Sequence, residues 1–226
     1  MRIVISLFLV VVVSFLGYWL VQDQRDHSKA IAFYQSGNIL SDLKSYDKAI
    51  KRYQQAIKIE AHFPEAYNNL ANALRQKGQL QESIVYYNKA ISLKNDYAEV
   101  YNNLGLILIE QGQFEEAIGD YQKALQINPD LFQVHDGLAI LLARRGDFSG
   151  ALTHYRQAIL LDPGFAKAHN NLGSTLAQQG KFEEAIMHFE KAINIEPNYR
   201  DARKNLELAE SLAGKKINAK IRQEIR

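Results

Sequence analysis

The chain has 226 residues, with 27 Lys and Arg against 25 Asp and Glu, and no cysteine. A formal net charge of +2 leaves no basic stripe of the kind that phosphate-backbone binding needs, which argues against nucleic acid as the main partner. The missing cysteine excludes a disulfide framework, a zinc–thiolate site and a thiol nucleophile, and the apolar content of 47% is ample for a packed core.

The first element is an uncharged run at 3–21, IVISLFLVVVVSFLGYWLV. Nineteen residues in a helix span about 28 Å, close to the hydrocarbon thickness of a bilayer. Tyr18 and Trp19 close the run where interfacial aromatics are expected. The sequence therefore predicts a transmembrane anchor over 1–22 and a linker over 23–29. A cleaved signal peptide is the rival, but the run is long for one and no small-x-small site follows it closely. Arg2 and the α-amine flank one side, Arg25 and Lys29 the other. The expectation is a single-pass membrane protein with its N-terminus inside and the rest of the chain outside the cytoplasm.

Self-similarity organises the remainder of the chain. FEEAI at 114 recurs at 182, and NNLG at 102 recurs at 170, both 68 residues apart, or twice a 34-residue period. That period sets five contiguous units at 30–63, 64–97, 98–131, 132–165 and 166–199. Position 7 of the unit holds Leu70, Leu104, Leu138 and Leu172, with Ser36 the exception. Position 8 is small throughout (Gly37, Ala71, Gly105, Ala139, Gly173), and position 11 is Leu throughout, from Leu40 to Leu176. Position 20 is Ala or Ser, position 24 is Tyr53, Tyr87, Tyr121, Tyr155 or Phe189, and position 27 is always Ala. Pro129, Pro163 and Pro197 close three units.

Positions 4, 7, 8 and 11 share one face of a 3.6-residue helix, and so do 17, 20, 21, 24, 27 and 28. Each unit is predicted to be two helices. Gly78, Gly112, Gly146 and Gly180 stand at the turns, where positive φ is needed, and Lys44 takes that place in the first unit. One such hairpin cannot bury its apolar face alone, whereas stacked neighbours can. Residues 200–213 are expected to form a capping helix. The tail, 214–226, carries five cations and one acid, with Ile217, Ile221 and Ile225 four apart. It is either a solvated extension of the cap or a basic apolar stripe that meets lipid or a partner.

These positions resemble the tetratricopeptide repeat, with Leu at 11 in place of Tyr and His135 and His169 at position 4. The resemblance covers 30–199. It implies an all-α fold: an α-solenoid, a right-handed superhelix of five helical hairpins with a C-terminal cap, behind the transmembrane helix. It also implies an inner face, built from positions 2, 5, 6, 9, 12 and 13, that holds an extended or helical peptide of a protein partner. Here that face carries Asn38, Asn69, Asn72, Asn103, Asn170 and Asn171, an apolar floor of Leu106, Ile109 and Ile140, and Arg144. The amides can donate to and accept from a peptide backbone, and exposed Leu and Ile opposite a core stripe call for a partner. The family's carboxylate-gripping variant does not fit, since Tyr34, Glu99 and Asn103 stand where cations belong.

Motifs for catalysis are missing. No phosphate loop, nucleophile elbow or zinc-protease signature occurs. His135 and His169 share one repeat position and His154 and His188 another, so packing is the expected role of these residues and no metal or cofactor is expected. Glu115-Glu116 and Glu183-Glu184 open second helices, where they complement the helix dipole. The sequence points to a non-enzymatic, membrane-anchored interaction scaffold or assembly factor. The alternatives are an accessory subunit of an enzyme complex, such as a glycosyltransferase or a photosystem assembly, and a homo-oligomeric scaffold stacked end to end.

Overall fold

The computed structural model describes residues 2–224, with side chains over 22–215. Eleven helices follow one another among the described residues: α1 Arg2–Asp42, α2 Tyr46–Ile59, α3 Pro64–Gln76, α4 Leu80–Leu93, α5 Ala98–Glu110, α6 Phe114–Ile127, α7 Phe132–Arg145, α8 Phe148–Leu161, α9 Ala166–Gln178, α10 Phe182–Ile195 and α11 Arg200–Glu224. Two compact units divide the chain, Met1–Asn103 and Leu104–Arg226. In the first, α1, α2, α3 and α4 pack successively; in the second, α6 to α11 do.

Two sequence assignments take a different form. Residues 23–29, expected as a linker, are helical and belong to α1, and α11 carries the cap on through most of the tail. The apolar side chains at 3–21 lie outside the described residues, as do those beyond 215. Among the described residues no helix is long and apolar enough to cross a membrane.

Where side chains are described, the helices form for the reason their periodicity gives: one face is apolar and meets a neighbour. In the first unit Ala49 and Tyr53 of α2 pack against Leu70, Ala73 and Leu74 of α3. At the other end Ala192 of α10 meets Ala202 of α11. The small residue at position 8 is required by close approach. A Cβ on Gly105 would fall 2.6 Å from Cε1 of Tyr121, and one on Gly173 would fall 2.8 Å from Cε1 of Phe189. Where position 20 is Ser83 rather than Ala, the hydroxyl is fully buried but donates to the Ala71 carbonyl at 2.9 Å, so no polar group is left unpaired. The turn glycines have φ between 71° and 89°, and Lys44 adopts the same left-handed conformation at φ 55°.

In four of the hairpins position 4 of the first helix faces position 23 of the helix that follows, beginning with Phe33 and Arg52 in the first. In the second hairpin this pair is Tyr67 and Tyr86, with stacked rings 6.2 Å apart. In the fourth and fifth it is a pair of histidines. His135 Nδ1 lies 2.9 Å from His154 Nδ1, and His169 Nδ1 lies 3.1 Å from His188 Nδ1. The carbonyl of Pro129, 3.0 Å from His135 Nε2, can only accept, so Nε2 carries the proton and His135 Nδ1 receives a hydrogen bond from His154 Nδ1–H. Such a pair fails once the accepting Nδ1 is protonated, because two N–H groups then face each other.

Burial first, and then the facing His135, push His154 below the ordinary histidine value, against an opposing pull from Asp147. Burial, then the facing His188, then Lys191 push His169 down, with the Pro163 carbonyl opposing. Burial and Arg156 push His188 down against Glu184. A base depressed in the folded state binds more protons once unfolded. Its contribution is therefore complete above about pH 6.5, the unfolded value, and is lost as pH falls toward and through the lower folded values. The melting temperature of the hairpins should fall by a few degrees between pH 7.5 and 5.5. The double change His135→Tyr, His154→Tyr, which copies the second hairpin, should flatten the profile. An unchanged slope in circular dichroism melts would show that these pairs do not titrate with folding.

Candidate functional site

The asparagines expected to face a ligand first bind each other. In the first unit Asn69 Nδ2 donates to Asn38 Oδ1 at 2.9 Å and to the Tyr34 hydroxyl at 3.1 Å. Asn103 Nδ2 donates to Asn72 Oδ1 at 3.1 Å and to Asn68 Oδ1 at 3.3 Å. One rule covers both: the amide at position 6 reaches back to positions 5 and 9 of the preceding hairpin. The same acceptors receive the position-24 phenols, since Tyr53 donates to Asn38 Oδ1 at 2.9 Å and Tyr87 donates to Asn72 Oδ1. Burial pushes the Tyr53 phenol up to about 12, which keeps it a donor.

The second unit repeats the arrangement with other residues. Asn205 Nδ2 of α11 donates to Asn170 Oδ1 at 2.9 Å and to Ser174 Oγ at 3.4 Å. Asn171 Nδ2 donates to Asp136 Oδ1 at 2.9 Å. Asp136 is only 2% exposed, and its charge is balanced by Lys167, whose Nζ lies 3.3 Å from Oδ2. In the fourth hairpin position 6 is Gly137, which has no amide to offer, and a Cβ there would fall 2.7 Å from the Tyr121 ring. Position 9 of that hairpin is Ile140, so Asn171 finds an acceptor at position 5 alone.

The predicted residues thus fall into two groups. Both N–H groups of Asn69 and both of Asn103 are engaged within the array, and the acceptor oxygens of Asn38, Asn72 and Asn170 receive bonds there. In the second unit Leu106, Ile109 and Ile140 are at least partly open to solvent, with Ile140 37% exposed. A hollow of about 500 Å³ opens at Ile140, with Ile140 and Ala143 on its floor and Arg144, Lys167, Asn171 and Gln178 around it. The Arg144 guanidinium sits 3.8 Å above the ring of Phe114, which fixes it without pairing its charge. Sequence reasoning missed Asp136 and Lys167, although an acid at position 5 with a lysine 31 residues later is the kind of signal that a 34-residue frame can expose.

Helical hairpins clamped in a repeating register, with apolar residues left open on one face, define an array protein built for contact. Two family models match: "Tetratricopeptide repeat" over 98–131 and 166–199, and "TPR repeat" over 37–74, 71–109 and 141–180. The chain belongs to the tetratricopeptide-repeat family. Among solved structures it is similar to YrrB, described as a TPR protein with an unusual peptide-binding site, at 24% identity and TM-score 0.64, covering 83% of this chain and 95% of that one. It is also similar to MamA, at 24% identity and TM-score 0.64, covering 71% and 94%. PilF of Pseudomonas aeruginosa gives 18% identity and TM-score 0.69, covering 81% and 90%. At these identities the likeness shows a common fold alone. No curated protein matches the chain.

The clamp has a measurable consequence. Asn103→Ala removes two hydrogen bonds and leaves Asn68 and Asn72 short of a donor, so it should destabilise the array by about 1–3 kcal/mol. Urea unfolding with no change in midpoint would mean that water replaces this amide without loss.

Proposed function

We propose that this chain is a non-enzymatic scaffold, held in a membrane by residues 3–21, that grips a peptide of a partner protein along the inner face of its second unit. The observation that carries the reading is the apolar floor of Ile140 and Ala143 in the hollow beside Arg144, with Leu106 and Ile109 of α5 partly open to solvent as well. Apolar side chains of a partner cover these residues and leave water, which supplies most of the affinity. The guanidinium at the rim orients the peptide by its charge, and the engaged amides hold the hairpins at a fixed spacing beneath it. Peptide binding by YrrB, a protein of this fold, supports the same use here.

The anchor rests on the uncharged nineteen-residue run and its terminal Tyr18 and Trp19. The flanking charges favour repeats on the extracytoplasmic side. Full-length protein should stay in the membrane pellet through carbonate and high-salt washes, because burial of apolar residues rather than charge retains it. Release by salt alone would exclude the anchor.

Ile109→Lys places on the floor a charge that a docked partner must desolvate, at a cost of several kcal/mol in affinity. Quantitative mass spectrometry of partners recovered from detergent-solubilised membranes should show selective loss with Ile109→Lys and none with Glu116→Lys on an exposed face of α6. A melt of each variant checks the fold. Recovery of the same partners with Ile109→Lys, or their loss with Glu116→Lys alone, would move the binding surface elsewhere.

A further inference from the structure

The first hairpin has an edge that no other hairpin leaves open. Positions 3 and 10 of the later first helices are all buried: Ala66, Val100, Val134, Ala168 and Ala202 at position 3, and Ala73, Ile107, Leu141, Thr175 and Ala209 at position 10, none more than 4% exposed. For α3, α7, α9 and α11 the element packed there is the preceding second helix: α2 on α3, α6 on α7, α8 on α9 and α10 on α11. On α1 the same positions are Ala32 and Ile39. Ala32 is exposed, Ile39 is 62% exposed, and Leu43 one turn on is 70% exposed. Between α1 and α2 lies a hollow of about 670 Å³, floored by Ala32, Ile39 and Leu40.

The rim of this hollow is basic, and only in this hairpin. Lys48, Lys51 and Arg52 line it from α2, at positions 19, 22 and 23. The residues at these positions in the later hairpins are Glu82, Val85 and Tyr86; Glu116, Gly119 and Asp120; Gly150, Thr153 and His154; and Glu184, Met187 and His188, without one lysine or arginine. Among the described residues no carboxylate lies within 4 Å of the three cations. Arg52 is held in place, 5.6 Å above the Phe33 ring and donating to Gln55 Oε1 at 3.1 Å.

We propose that this edge is a second docking surface, which receives an amphipathic helix with acidic flanks from a partner protein. The shape calls for a helix, because a helix covers the same positions in the later hairpins. The chemistry calls for an apolar stripe over Ile39 and Leu43 with Asp or Glu facing Lys48, Lys51 and Arg52. Anionic lipid is the other source of negative charge near an anchored protein. If residues 3–21 span the bilayer, however, the hollow begins eleven residues beyond Val21 along a continuous helix, about 16 Å out and extending to about 27 Å. With about 5–7 Å of headgroup layer subtracted, the hollow runs from about 10 Å to about 20 Å from the charged surface, so most of it lies beyond the ~8–10 Å over which salt leaves surface charge unscreened.

The test uses full-length protein in detergent micelles and a labelled helical peptide of about 18 residues, built from Leu, Ala and Glu with the Glu flanking a Leu stripe, beside its Lys-for-Glu counterpart. Fluorescence anisotropy should show the Glu peptide binding about tenfold or more tightly than the Lys peptide. The triple change Lys48→Glu, Lys51→Glu, Arg52→Glu should weaken it by about the same factor, and so should Ile39→Asp. Met187→Asp, at an equally exposed position of the fifth hairpin, should leave it unchanged. These positions lie away from the packed core, so melting curves should match wild type and a loss of binding reports the surface. Equal affinity for the two peptides, or for wild type and the triple variant, would overturn the proposal. So would sedimentation showing that Ile39→Asp abolishes self-association, which would make a second copy the occupant. Nanodiscs of phosphatidylserine that displace the peptide would overturn it in favour of lipid.

Discussion

The arrangement depends on one contact, the ring at position 24 laid against a residue too small to hold it off at position 8. Tyr121 over Gly105 and Phe189 over Gly173 leave no room even for a Cβ. This contact fixes the separation of the two helices in a hairpin. It also fixes the depth of the ring, and so the place of its hydroxyl, which in the first two hairpins lands on the acceptor oxygen at position 9. That oxygen in turn receives the amide of the next hairpin. Apolar packing inside a hairpin thus positions the polar bond between hairpins. A larger residue at position 8 would disturb both, and the second loss would appear one hairpin away.

Much of this was legible in the sequence, because a 34-residue period with small, aromatic and aliphatic residues at fixed places has few physical solutions. The turns were legible too, including the one where Lys44 stands in a conformation usually left to glycine. What the asparagines do was not. Their acceptors lie 31 and 35 residues earlier, on a different hairpin, so no local pattern shows whether an amide points at a partner or at its neighbour. Within the frame, however, asparagine at position 6 coincides with an acceptor at position 5 or 9 one unit earlier, and that coincidence is a usable sign. The histidines teach the same lesson. Equivalence between hairpins groups His135 with His169, whereas contact groups His135 with His154 inside one hairpin.

The polar side chains at these repeat positions therefore separate into two kinds. Amides engaged with each other give stiffness: Asn69 and Asn103 commit both N–H groups, and Asn38 and Asn72 commit both oxygen lone pairs, so each keeps at most the other half of its amide for a ligand. Side chains held by a ring or a buried acid, such as Arg144 and Lys167, stay exposed on a fixed base. In the proposed use, recognition falls to the second kind, since a preorganised donor loses less freedom on binding than a mobile one. The apolar floor beside them supplies the area, and the clamp beneath keeps that area from rearranging.

The clamp also bears on how such a chain changes length over generations. Donor and acceptors sit on the same helix of the same 34-residue unit, so duplicating one unit copies both halves of the bond. An added hairpin arrives already able to join its neighbours in register, and a deleted one leaves matching ends. Drift at these positions has the opposite effect. Gly137 and Ile140 mark a copy that has lost both its own donor and its position-9 acceptor. Under a pulling force, the seams beside that hairpin should part before the fully clamped ones.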